Sequence, residues 1–258
     1  MLNPLSLAHS FREVKGTIPL VFLHGFLESS TMWVPLQIED WPFSILTIDL
    51  SGHGKSLDLL PKGEPSINKM ADAVIQLLSD LKIVQFNLIG HSMGGYIGLS
   101  IKKRFGACQK LILLNSTYLA DSVAKKEDRL RMASLVFEAK KLIISQSIPR
   151  LFYKYSEKDQ IVIDLINEAS TIAPEAIAYA SIAMSKRKNN LDLILEHKKD
   201  VLIICGRYDK IINTEQLRAD ATKFGLQLIE LPNSGHMSHF EETEVLREIL
   251  LNFISNII

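Results

Sequence analysis

Short apolar runs alternate with amphipathic stretches along most of this chain, and that alternation constrains its fold more than any other feature. Pro19–Leu23 (PLVFL), Phe43–Asp49 (FSILTID), Phe86–Ile89 (FNLI), Lys110–Leu114 (KLILL), Val201–Cys205 (VLIIC) and Gln227–Leu231 (QLIEL) all read as strands. Several are apolar almost throughout, the pattern of parallel strands covered on both faces. Ile67, Met70, Ala71, Val74, Leu77, Leu78 and Leu81 recur at helical spacing, and Ser66 after Pro65 is placed to cap their N-terminus. Leu246, Ile249, Leu250, Phe253, Ile254 and Ile257 repeat that rhythm near the C-terminus. The alternation predicts an α/β fold, a mostly parallel sheet flanked by helices.

The pattern breaks between about Thr117 and Lys199. There a charged run around Lys125–Arg131, then ASLVFEAKKLII, DQIVIDLINEAS and PEAIAYASIAM all read as helices, with Pro174 suited to a first turn. Residues 1–116 and 199–258 are therefore expected to form the α/β core, with 117–198 inserted as a helical cap. A chain of 258 residues accommodates one such domain with its insert.

Charge and cysteine content narrow the function classes. The 29 basic and 29 acidic residues cancel, so there is no basic footprint for nucleic acid and no acidic tail. Cys108 and Cys205 are the two cysteines and form no CxxC motif, which favours a reducing compartment. No apolar segment approaches the ~18 residues of a membrane span. The opening MLNPLSLAHSFREV has no basic segment followed by an apolar one, so no secretion signal is expected and the reading is cytoplasmic.

Chemistry enters at LIGHSMGGYIG, where Gly90-His91-Ser92-Met93-Gly94 spells G-x-S-x-G and Gly95 follows. The strand-like FNLI precedes it and a helix-like stretch follows, the setting in which a serine is held on a sharp strand-to-helix turn. Gly90 and Gly94 leave room at that corner. Met93, opening the helix, has an N–H suited to a developing oxyanion. A phosphate loop is excluded by spacing. The glycines do not stand at the places G-x-G-x-x-G requires, and SGHGKS has Asp49 where a Walker A motif needs glycine.

A serine nucleophile needs a base and an orienting acid. Asp209 follows the strand VLIIC, and His236 follows QLIEL. In a parallel sheet both would share the edge that carries Ser92, in the chain order Ser…Asp…His. His239 competes with His236 as base and is read as packing. The His-x-x-His pair has no third ligand nearby, so no metal is expected, and a serine nucleophile with its base and acid needs no organic cofactor. His24-Gly25-Phe26 follows PLVFL and would aim the Phe26 N–H at the nucleophile, making with Met93 a two-donor oxyanion hole; His24 is read as bonding loop backbone.

Together HGF (24–26), DLSGHGKS (49–56), GHSMGG (90–95), GRYD (206–209) and SGHMSHFEE (234–242) resemble the α/β-hydrolase superfamily over nearly the whole chain. The resemblance implies an eight-stranded, mostly parallel sheet with a helical cap inserted after the sixth strand. It implies Ser92 as nucleophile, Asp209 as acid, His236 as base, and Phe26 and Met93 as oxyanion donors, with His24, Gly25, Gly90, His91, Gly94 and Gly95 supporting the loop and elbow. Thr243 departs from the proline many relatives carry there, and the strands before Pro19 are poorly marked.

The expected activity is hydrolysis of a small ester, thioester or related acyl substrate by a monomer or homodimer. C–C bond hydrolysis or pyruvate elimination, as in the menaquinone-pathway synthase branch, is a second reading. It would draw on Arg129, Arg131, Arg150 or Arg207 for an anionic substrate. A non-catalytic ligand receptor is a third.

Overall fold

The computed structural model describes residues 6–157 and 159–255; Ile257 of the C-terminal apolar pattern lies outside them. Seven strands among the described residues form one sheet: β1 (His9–Arg12), β2 (Leu20–Leu23), β3 (Ile45–Ile48), β4 (Phe86–His91), β5 (Cys108–Leu114), β6 (Val201–Gly206) and β7 (Gln227–Leu231). Their order across the sheet is β1-β3-β2-β4-β5-β6-β7, and only β1 runs antiparallel to its neighbour. The architecture is thus the expected α/β one, with seven strands where the resemblance implied eight. One of the seven, β1, is not among the six apolar runs: it lies in the poorly marked region before Pro19 and is only partly buried.

Buried strands β2, β4 and β6 have no exposed position, which is why their sequences are apolar on both faces. Alternate residues divide between two core layers. Val21, Leu23, Leu46 and Ile48 pack with α1 (Ile67–Asp80) and α2 (Met93–Arg104) on one side. Leu20, Phe22, Ile45 and Ile204 pack on the other with Trp33, Leu246, Leu250 and Phe253. Ser66 caps α1, its hydroxyl accepting from the Asn68 N–H at 3.2 Å.

Between β5 and β6 the chain is helical: α3 (Val123–Ser147), α4 (Gln160–Ala169), α5 (Pro174–Ser185) and α6 (Leu191–Glu196). Pro174 opens α5, and α3 is interrupted by a non-helical residue, Ala139. These helices have a core of their own, including Val136, Ile144, Val162 and Ile177, continuous with Leu27 and Met237 of the α/β unit. After β6 follow α7 (Thr214–Phe224), then β7, a single-turn α8 (Ser238–Glu241) and α9 (Thr243–Ile254). Thr243 begins α9, its hydroxyl donating to the His239 carbonyl at 2.9 Å.

Sheet order reverses between β2 and β4: from β2 the chain continues outward to β3, then returns to start β4 on the other side. Diverging connections open a crevice at the C-terminal ends of such strands. The loop carrying Phe26 and the corner carrying Ser92 leave from those two ends.

Candidate active site

Ser92 occupies the corner between β4 and α2 with φ 47° and ψ −111°, a left-handed conformation that a residue with a side chain adopts only under constraint. Two hydrogen bonds hold it there: its N–H donates to the Leu114 carbonyl at 2.9 Å, and its own carbonyl accepts from the Ser116 hydroxyl at 2.7 Å. Glycines make the turn sterically feasible. A Cβ on Gly90 would lie 2.5 Å from the Gly94 carbonyl, and one on Gly94 would strike the Leu23 carbonyl. Gly95 packs equally closely on Ser116. The corner therefore fits against both the end of β2 and its own strand.

The side chains expected to act with Ser92 converge on it. Its hydroxyl lies 2.9 Å from His236 Nε2, and His236 Nδ1 lies 2.7 Å from Asp209 Oδ2. With Asp209 ionised, Nδ1 carries the hydrogen and Nε2 is left to accept the Ser92 proton. All three residues are buried. Burial works against ionisation of Asp209. The His236 ring and donors from Ile211 and Asn115 overcome it and hold the carboxyl below the usual carboxylate range. Ile211 N–H donates to Oδ1 at 2.8 Å, while the Asn115 amide donates to Oδ2 at 3.1 Å and to the Gly235 carbonyl at 3.0 Å.

His24, Gly25 and Phe26 leave β2 toward this corner. His24 bonds backbone on both sides: Nε2 accepts from the Leu50 N–H at 2.9 Å, and Nδ1 donates to the Gly25 carbonyl at 2.8 Å. Phe26 lines the same cavity as Ser92 and His236. Met93 is the first residue of α2, a position whose N–H has no acceptor within the helix.

His91, directly before Ser92, ties three segments together. Its Nδ1 meets Glu28 Oε2 at 2.9 Å, and its Nε2 meets the His236 carbonyl at 2.9 Å. The same Glu28 oxygen accepts the Gly25 N–H at 2.6 Å. A carboxylate and a carbonyl only accept, so His91 carries both ring hydrogens and is an imidazolium. Burial alone would raise the Glu28 carboxyl; the His91 charge and hydrogen bond bring it down to about 2. Burial would likewise lower His91, and Glu28 raises it above its ordinary value. His239 is fully buried against the rings of Trp33, His91 and Phe240, with its nitrogens unpartnered among the described residues and burial holding it neutral.

Glu28 and Asn115 went unread in the sequence. Glu28 follows the H-G-F stretch but acts on a residue 63 positions away, and Asn115 after a strand looks like a turn former. Its φ of 43° is a constraint visible only in the fold.

A cavity of about 390 Å³ opens above Ser92. The α/β core supplies its floor, and the segment between β5 and β6 supplies Met132 and Met184 from α3 and α5 and Ile148 and Leu151 from the turn after α3. Leu151 is also bonded to the floor: its carbonyl accepts the His236 N–H at 2.7 Å. Of the four arginines weighed for an anionic substrate, Arg129 and Arg150 line the cavity, and Lys125 joins them. Arg131 and Arg207 instead pair with Asp128 and Glu230. Burial, then the neighbouring Arg129, pushes Lys125 down to about 8 against the opposing pull of Asp121. No group of three or more His, Cys, Asp or Glu among the described residues is placed to hold a metal ion. No helix among them is long and apolar enough to cross a membrane.

A serine on a strained strand-to-helix corner, bonded to a histidine that an aspartate holds in turn, above a mostly parallel sheet, is the arrangement of a hydrolase built on an α/β fold. Residues 20–249 match the Alpha/beta hydrolase family, and the chain belongs to that family. It is similar to a thermophilic esterase from Thermogutta terrifontis solved with malate bound, with a TM-score of 0.86, 26% identity, and coverage of 97% of this chain and 93% of that one. It is 27% identical to the 2-succinyl-6-hydroxy-2,4-cyclohexadiene-1-carboxylate synthase of Enterobacter sp. (strain 638), over 91% of each chain. It is 24% identical to the dihydrolipoyllysine-residue acetyltransferase component of the acetoin cleaving system of Pseudomonas putida, over 93% of this chain but 64% of that protein. Matches to three further curated relatives cover less than half of those proteins.

Proposed function

We propose that this protein is a serine hydrolase acting on a small carboxylic ester or thioester through an acyl-enzyme on Ser92. The observation that carries the reading is the Ser92 Oγ–His236 Nε2 distance of 2.9 Å, continued to Asp209 at 2.7 Å, on the floor of a cavity sized for a small ligand. Ser92 attacks the carbonyl while His236 takes its proton. The tetrahedral oxyanion accepts from the N–H groups of Phe26 and Met93. His236 returns the proton to the leaving alcohol or thiol, then activates the water that releases the acid. Asp209 keeps the ring in the required tautomer and stabilises its charged form. No step calls for a cofactor. Residues 117–198 act as the lid that selects the substrate. Two free, buried cysteines fit a reducing compartment such as the cytoplasm.

A second reading, C–C bond cleavage or elimination at the same three residues, is favoured by the cations in the cavity and by the likeness to the Enterobacter synthase. A fluorophosphonate probe followed by a short-chain ester panel separates the readings. The proposal expects labelling at Ser92 and ester turnover. Labelling without turnover on any ester supports elimination or a receptor role, and no labelling removes every nucleophilic reading.

A further inference from the structure

The cavity above Ser92 carries more positive charge than its own carboxylates neutralise. Lys125, Arg129 and Arg150 line it, against Glu28 and Asp128. Both acids are already engaged: Glu28 is held by His91 at 2.9 Å, and Asp128 by Arg131 at 3.3 Å. Arg129 meets Asp121 at 2.6 Å, yet that carboxylate also serves Arg187 at 2.7 Å, so one negative charge faces two guanidiniums. Lys125 donates to the Ile211 carbonyl, a dipole rather than a counter-ion. Among the described residues, neither Lys125 nor Arg150 has a carboxylate within ion-pair distance.

Desolvating a cation without a partner is costly, and a lysine partly buried beside apolar side chains meets that cost in the empty protein. A ligand anion would remove it. Met132, Ile148 and Met184 line the same space and suit a short apolar spacer. All three cations come from the inserted helical segment, whereas Ser92 and His236 come from the core, so a bound molecule would have its two ends read by different parts of the chain.

We propose that Lys125, Arg129 and Arg150 form an anion subsite, and that the ester hydrolysed carries an ionised carboxylate remote from its scissile carbonyl. The proposal rests on the serine-hydrolase reading above. The carboxylate belongs either to the acyl part, as in a monoester of a short dicarboxylic acid, or to the alcohol part.

Two matched substrate pairs distinguish these sources: p-nitrophenyl hydrogen glutarate against p-nitrophenyl valerate, and 4-acetoxybenzoate against 4-acetoxybenzamide. At low ionic strength, kcat/KM for the anionic member should exceed that of its neutral partner by about tenfold or more in one pair, the scale of a charge-assisted contact. Salt at about 0.5 M should shrink that preference. Lys125→Met and Arg150→Gln should each lower the anionic-to-neutral ratio about tenfold, and Arg150→Glu should reverse it. Arg207→Gln, paired with Glu230 away from the cavity, should leave the ratio unchanged. Turnover of the neutral esters with no anionic preference in either pair, or a preference that survives Lys125→Met and Arg150→Gln, overturns the subsite while the hydrolase reading stands. If instead Ser92 takes no fluorophosphonate and no ester turns over, that reading fails, and calorimetry with glutarate decides the subsite. Binding weakened by Arg150→Glu supports it, and no binding at millimolar glutarate overturns it.

Discussion

The His91 imidazolium and the Glu28 carboxylate lie 2.9 Å apart, both buried, and join three segments of the candidate active site. His91 adjoins Ser92 and donates to the His236 backbone, while Glu28 fixes the Gly25 N–H just before Phe26. The pair thus bears on Ser92, on His236 and on the loop carrying Phe26, the proposed nucleophile, base and oxyanion donor, without touching the Ser92 hydroxyl or the His236 ring nitrogens.

Glu28→Gln should therefore do two things. Leaving His91 without its counter-ion should cost about 3 kcal/mol or more of stability, the scale of a broken buried pair. It should also lower kcat more than it raises KM, because the loop and base lose register rather than the substrate losing contacts. Urea denaturation and steady-state kinetics measure the two effects.

The same pair predicts a pH signature. Glu28 is held at about 2 against an ordinary 4.5, so the unfolded chain takes up its proton first as pH falls. Its stabilisation is fully present above pH 4.5 and is lost as pH drops toward 2. His91 is raised above 6.5, so its share is fully present below pH 6.5 and disappears as pH rises through its folded value. The stability gap between wild type and Glu28→Gln should be widest between these limits and narrow on both sides, as read by denaturation across pH.

Asp209→Asn should reduce kcat by about 10⁴, since an amide presents donors as well as an acceptor and no longer enforces the Nδ1–H tautomer. Asn115→Ala should have a smaller effect, about tenfold, by removing one of the donors that favour the ionised carboxylate. Pre-steady-state kinetics with a chromogenic ester would show both as slower acylation.

Gly94→Ala should destabilise the fold by about 1–3 kcal/mol, because the added methyl meets the Leu23 carbonyl and must push β2 from the corner. Fluorophosphonate labelling of Ser92 should slow in proportion to lost oxyanion geometry. Normal stability and labelling would contradict the close packing described.

Ser92→Ala should lower kcat by several orders of magnitude, on the scale of ~10⁶ when such a unit is broken, while the protein remains folded. Activity surviving that change would show that another group carries the chemistry.

Local sequence by itself determined six of the seven described strands, most of the helices, and the corner at Ser92. Runs such as VLIIC and PLVFL are apolar on both faces, the pattern of strands covered on both sides, and their alternation with amphipathic helices points to a parallel sheet, so the architecture was legible without coordinates. The convergence of Ser92, Asp209 and His236 was legible as well, because each lies no more than a few residues beyond the end of a strand and parallel strands deliver their C-terminal ends to one edge. Tertiary structure decided what depends on partners distant in sequence. Glu28 finds His91, Asn115 reaches both Asp209 and Gly235, and Arg129 and Arg150 line the cavity while Arg131 and Arg207 do not. A charge on a helix has the same local signature whether it faces a cavity or water. Its role follows from packing between elements, which no local period encodes.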